Sequence, residues 1–114
     1  MKITPEKVKA VYTMLLTMEP FLNWTMPAAK SITFAVAPLK SRRGDWDSNT
    51  KTLRVSTECI TTFLGLVGVV AHEMIHVRQQ QMCRLPDSAE GHNGDFRRMT
   101  SQICKEFPFD PGHF

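Results

Sequence analysis

The stretch that most limits what this chain can become is Val70-Ala71-His72-Glu73-Met74-Ile75-His76-Val77, an H-E-x-x-H pattern inside an apolar run. On a helix, His72 and His76 fall one turn apart on the same side, so both imidazoles can reach one metal ion while Glu73 stands beside it. At about 100° per residue, Leu66, Val70, Met74 and Val77 share one arc and the two histidines point nearly opposite, towards a cleft. Val67, Ala71 and Ile75 spill around the sides. Such a helix is expected to be central, packed between two layers.

H-E-x-x-H also arises by chance, and a buried pair of satisfied histidines is the plain alternative. A third ligand is what would separate the two readings. His92 is the candidate, in Glu90-Gly91-His92-Asn93-Gly94-Asp95-Phe96, on a turn just ahead of a helix. Asn93 or Gly94 can cap that helix, whose apolar residues Phe96, Met99, Ile103 and Phe107 are helically spaced. The loop of roughly fifteen residues after His76 is long enough to bring the chain back over the first two histidines.

The 114 residues suffice for one domain with a real core, so 1–114 is read as a single domain. A formal charge of +3 with both signs scattered does not by itself imply nucleic acid. The odd cysteines Cys59, Cys83 and Cys104 lack C-x-x-C spacing and argue for a reducing compartment. The N-terminus does not read as a signal peptide, because Lys7, Lys9 and Glu19 break its apolar residues, and no run approaches membrane-spanning length. The expectation is a cytoplasmic protein without a membrane partner.

In chain order, Thr4-Pro5-Glu6 marks a helix start, and Val8, Val11, Tyr12, Leu15 and Leu16 continue it at helical spacing towards Glu19-Pro20. Phe21, Leu22 and Trp24 are expected to fold back on the core. Ile32, Phe34 and Val36 alternate as in a half-buried strand, and so do Leu53 and Val55 within Lys51 to Ser56. The expected sheet is small and antiparallel, with about three strands. Between them, Lys40-Ser41-Arg42-Arg43-Gly44 is the one basic cluster, read as a solvated hairpin or as a contact for nucleic acid or an acidic substrate. Thr61 or Thr62 begins the central helix. Gly65 and Gly68 suggest close approach of its backbone to the sheet. Arg78-Gln79-Gln80-Gln81 carries the helix into solvent, and Leu85-Pro86-Asp87-Ser88 closes it.

His72-Glu73-Met74-Ile75-His76, followed by Glu90-Gly91-His92 and by Phe96 four residues on, resembles the SprT-like family of zinc metallopeptidases. The similarity extends upstream through both strands and spans most of residues 20 to 107. It departs at Asn93, where members usually carry glycine, and the chain ends at Phe114 without the cysteine-bearing extension many members have. A minimal, catalytic-domain-only member is expected. The resemblance implies an α+β, zincin-like fold: an N-terminal helix, the small sheet, the central H-E-x-x-H helix and a C-terminal helix.

Resemblance and residues imply the same chemistry. One zinc ion per chain would be held by the imidazoles of His72, His76 and His92, leaving a fourth position open to water as the nucleophile. Glu73 would be the general base for peptide-bond hydrolysis and pass the proton to the leaving amine. The substrate would be a polypeptide, aligned along the backbone edge of Lys51 to Ser56. Tyr12, Arg97 and Arg98 are the candidates for stabilising the oxyanion. A zinc-binding but inactive interaction module and a DNA-associated regulated protease are the competing classes. The tail from Phe107 to Phe114 is too apolar for a solvated end. It either covers core or lies across the cleft, with Asp110 or His113 offered to the metal.

Overall fold

The computed structural model describes residues 1–82, 94–109 and 114. Helix α1, Pro5–Leu16, opens where Thr4 accepts the Lys7 backbone N–H on its hydroxyl at 3.2 Å and proline takes the first helical position. Strands β1 (Thr33–Ala37), β2 (Gly44–Asp47) and β3 (Thr52–Ser56) follow. Helix α2, Phe63–Val77, is capped by the Thr62 hydroxyl, which accepts from the Gly65 N–H at 3.0 Å. It runs into a π-helical turn over Arg78–Met82. Helix α3 spans Gly94–Glu106. The fold is α+β.

The sheet has the order β1-β3-β2, with β1 parallel to β3 and β2 antiparallel to β3. This corrects the all-antiparallel expectation. Alternation reveals which side chains share a face, and Phe34 does lie beside Leu53 and Val36 beside Val55, but it carries no information on a neighbour's direction. Because β3 is inserted between the other two strands, both its edges are hydrogen-bonded. The segment Lys51 to Ser56 therefore has no free edge for a polypeptide, a second correction. β2 is an edge strand.

Leu66, Val70, Met74 and Val77 are fully buried, and α2 packs against α1, α3, β2 and β3, which makes it the central element. Burying a leucine or valine side chain stabilises a fold by roughly 1.5–3 kcal/mol relative to exposure, so this single helix face anchors both layers. Phe21 is buried and Trp24 half-buried, as expected, but Leu22 points outward at 58% exposure.

Arg78, Gln79 and Gln80, expected to carry the helix into solvent, are buried or half-buried. Gln79 is 2% exposed, and the Arg78 guanidinium lies 5.6 Å from the Trp24 ring centroid, where the aromatic face offsets its desolvation. The α2 glycines do not meet the sheet. A Cβ on Gly65 would lie 3.0 Å from its own capping hydroxyl, and one on Gly68 would lie 3.4 Å from the Phe109 ring. The close approach of helix and sheet is made by Gly44 instead. A Cβ there would come within 2.8 Å of the Arg54 carbonyl oxygen and 3.0 Å of Val69.

Candidate active site

His72 and His76 stand one turn apart on α2, half-buried, with ring centroids 5.4 Å apart. The apolar arc facing the core fixes the rotation of α2, and the histidines on the opposite arc follow from it. Phe96, in the first turns of α3, packs on both: its ring is stacked with His76 at 4.9 Å and edge-on to His72 at 5.1 Å. This contact seats α3 against the histidine face of α2. Phe114 adds a tilted ring 5.5 Å from His72, and it touches Phe109, which in turn packs on Gly68.

Glu73 lies between the histidine face and the core and is 6% exposed. Burial pushes its carboxyl up to about 8, the nearby negative Asp45 adds to the rise, and Arg42 opposes it. Asp45 itself is held below the ordinary carboxylate range. Its partial burial acts to raise it, but hydrogen bonds and charge from Arg54 and then Arg42 outweigh this. The Arg54 Nε donates to Asp45 at 3.1 Å and the Arg42 Nε at 3.0 Å. Arg42 is thus engaged by a carboxylate three residues on, in β2, which reduces what the basic cluster can offer a nucleic acid.

A cleft of about 280 Å³ opens between β2 and the C-terminal half of α2. Among the described residues it is lined by Gly44, Asp45 and Trp46 from the strand and by His72, Glu73, His76 and Gln80 from the helix and its π-turn. The structure therefore brings His72, Glu73 and His76 together on one cavity. His92 lies outside the described residues, as do Glu90, Asp110 and His113. Among the described residues no three His, Cys, Asp or Glu side chains form a metal cage.

Of the three oxyanion candidates, Tyr12 is removed from the site. Its hydroxyl is buried in the core and donates to the Pro27 carbonyl at 2.6 Å, and burial raises it far above the usual phenol range. Arg97 and Arg98 are exposed on α3. Four cleft residues escaped the sequence reading: Gly44, Asp45, Trp46 and Gln80. Gly44 reads as a hairpin glycine and Gln80 as part of a solvent-facing run. Trp46 carried a signal, as the lone aromatic beside two acids, but nothing local says which way it faces.

Similarity in three dimensions follows the same lines. The chain matches the crystal structure of the metallopeptidase zymogen jannalysin of Methanocaldococcus jannaschii with a TM-score of 0.51 at 18% identity, covering 91% of this chain and 90% of that one. The fold is shared with a metallopeptidase. No protein-family profile matches the sequence, and no curated protein matches it significantly.

Proposed function

We propose that this chain is a zinc-dependent peptidase of the SprT-like type, a single domain over 1–114, in which His72, His76 and His92 hold the metal and Glu73 is the general base. The observation that carries the reading is the convergence of His72, Glu73 and His76 on one cleft walled by an edge strand. Two half-buried imidazoles one turn apart are a donor set that suits zinc. Phe96, four residues after His92 in the chain, packs on both rings and supports His92 as the third ligand. When bound, zinc would supply the Lewis acidity that brings the pKa of water down to about 7.

The remaining chemistry belongs to the chain. Glu73 would accept a proton from the attacking water and deliver it to the leaving amine. Without metal, its carboxyl at about 8 keeps its proton at neutral pH, and a dication beside it favours the carboxylate needed for a base. An extended polypeptide would lie against the free edge of β2, where backbone hydrogen bonds align it with little side-chain selectivity. The cysteine count favours the cytoplasm, and among the described residues no helix is long and apolar enough to cross a membrane.

The tail supports a second, compatible reading. The Phe114 ring on His72 and Phe109 on Gly68 lie on the metal-facing side of α2, so the chain with its tail in place is read as latent. The metallopeptidase it matches in fold is itself a zymogen.

Cleavage of an unfolded protein substrate tests the main reading. Activity should vanish with a chelator and return with about one equivalent of zinc, and adding single-stranded DNA separates a DNA-regulated protease from a general one. A chain that binds zinc yet never cleaves, with or without DNA or its tail, is the inactive interaction module.

A further inference from the structure

The aromatic residues of the tail continue the line of the histidines along α2. Phe109 sits on the bare backbone of Gly68, one turn before His72, with its ring 3.4 Å from where a Cβ would stand. Phe107 stacks on it at 5.7 Å and 18°. Phe114 then meets both Phe109 and His72, its ring centroid 5.5 Å from each, so it bridges the turn between Gly68 and His72. Phe109 and Phe114 are only half-buried, and their faces are within reach of a molecule that approaches the cleft. A groove of about 230 Å³, whose walls include Arg43, Leu64, Gly65, Gly68 and these two rings, leads on towards the start of α2.

We infer that the place held by the Phe114 ring is a side-chain pocket for the substrate, and that the enzyme selects a peptide with an aromatic residue beside the bond it cleaves. The inference rests on the peptidase reading and on the tail's covering of the cleft. When Phe114 withdraws, the two rings it touched stay in place, Phe109 held by Phe107 and Gly68, and His72 held by α2. An incoming aromatic ring would find both at the spacing Phe114 has, within the range of roughly 4.5–7 Å where ring pairs attract beyond the burial of area. An aliphatic side chain gains the burial without the pairing. A lysine or arginine would stand beside the dication that His72 is proposed to hold, and the like charges repel. A carboxylate would lose water against the Phe109 ring. Gly68 is what admits this arrangement, since a side chain longer than a methyl group at that position would push into Phe109.

The test uses a chain truncated after Phe109, in which Phe114 is gone and Phe109 keeps its seat, carrying Glu73→Gln and loaded with zinc. Capped, alanine-rich hexapeptides that differ only in a central Phe, Leu or Lys are titrated by calorimetry. The Phe peptide should bind about three- to tenfold more tightly than the Leu peptide, and the Lys peptide most weakly. Phe109→Leu in the same background keeps an apolar wall, so it should retain zinc and a folded melting transition but bring the Phe and Leu peptides close to parity. The chain with its tail in place should bind the Phe peptide more weakly than the truncated one. The truncated chain with Glu73 intact should show the same Phe-over-Leu ratio in kcat/KM. Equal binding of the Phe and Leu peptides, a preference that survives Phe109→Leu, or equal binding with and without the tail would each overturn the pocket, as would no binding at millimolar peptide. In those cases the peptidase reading is still judged by whether the truncated chain with Glu73 cleaves. If the preference and its loss in Phe109→Leu are seen but that chain never cleaves, the pocket stands and the hydrolytic reading falls.

Discussion

Phe96 and His76 are stacked at 4.9 Å between ring centroids, joining α3 to the face of α2 that carries the histidine pair. The same ring meets His72 edge-on, so one buried phenylalanine packs on both imidazoles. Phe96→Leu should retain most of the packing and lose the ring contacts. Stability is expected to fall by about 1 kcal/mol, and zinc affinity by a larger factor than a distant core substitution of equal cost. Thermal unfolding and a competitive zinc titration, with Ile103→Val as the distant control, check this. Equal effects on zinc in both variants would reduce Phe96 to packing.

Gly44 predicts a second outcome. A methyl group there meets the Arg54 carbonyl oxygen of β3 at 2.8 Å, which is backbone and cannot swing aside, and Val69 of α2 at 3.0 Å, so Gly44→Ala must shift β2 against both β3 and α2. A loss of about 1–3 kcal/mol in denaturant unfolding is expected, with peptidase activity falling further than stability alone accounts for. Unchanged stability would mean that strand and helix do not need this approach.

The protonation of Glu73 makes a third. Its folded-state value of about 8 lies above its ordinary 4.5, so metal-free folded protein binds more protons than the unfolded chain between these limits. The contribution of this group to stability is therefore fully present below about 4.5 and is lost as pH rises through about 8. Every other titrating group is common to wild type and Glu73→Gln and cancels in the comparison. The melting temperature of metal-free wild type, taken relative to metal-free Glu73→Gln, should fall as pH rises across that window. A constant difference would show that Glu73 is ionised throughout.

What the sequence made legible, and what it did not, divides along range of interaction. The starts of α1 and α2 could be read because Thr4, Pro5 and Thr62 act within one helical turn, and the direction of the histidines followed from the apolar arc of α2. The parallel pairing of β1 with β3 could not be read, because alternation is blind to strand direction. Arg78 and Gln79 look like solvent residues until Trp24, distant in sequence, is seen to cover that turn. For the same reason Trp46 and Gln80, one beside a basic cluster and one in a polar run, gave no sign that they line one cavity.

The tail provides a fourth prediction. Phe109 packs on Gly68 and stacks with Phe107, whereas Phe114 reaches His72. Truncation after Phe109 should raise peptidase activity with zinc content unchanged, because the packing of Phe109 is retained. Truncation after Pro108 should also lower the melting temperature. If both truncations abolish activity and destabilise alike, the whole tail belongs to the core and the chain is not latent.

The central claim is tested most directly by Glu73→Gln, compared with wild type in the same zinc-loaded, tail-truncated background. The substitution preserves shape and removes the base, so cleavage should drop by about two orders of magnitude or more while the protein still binds one zinc and remains folded. Equal cleavage by the Gln variant would contradict the account, because the proton would then have to pass through some other group.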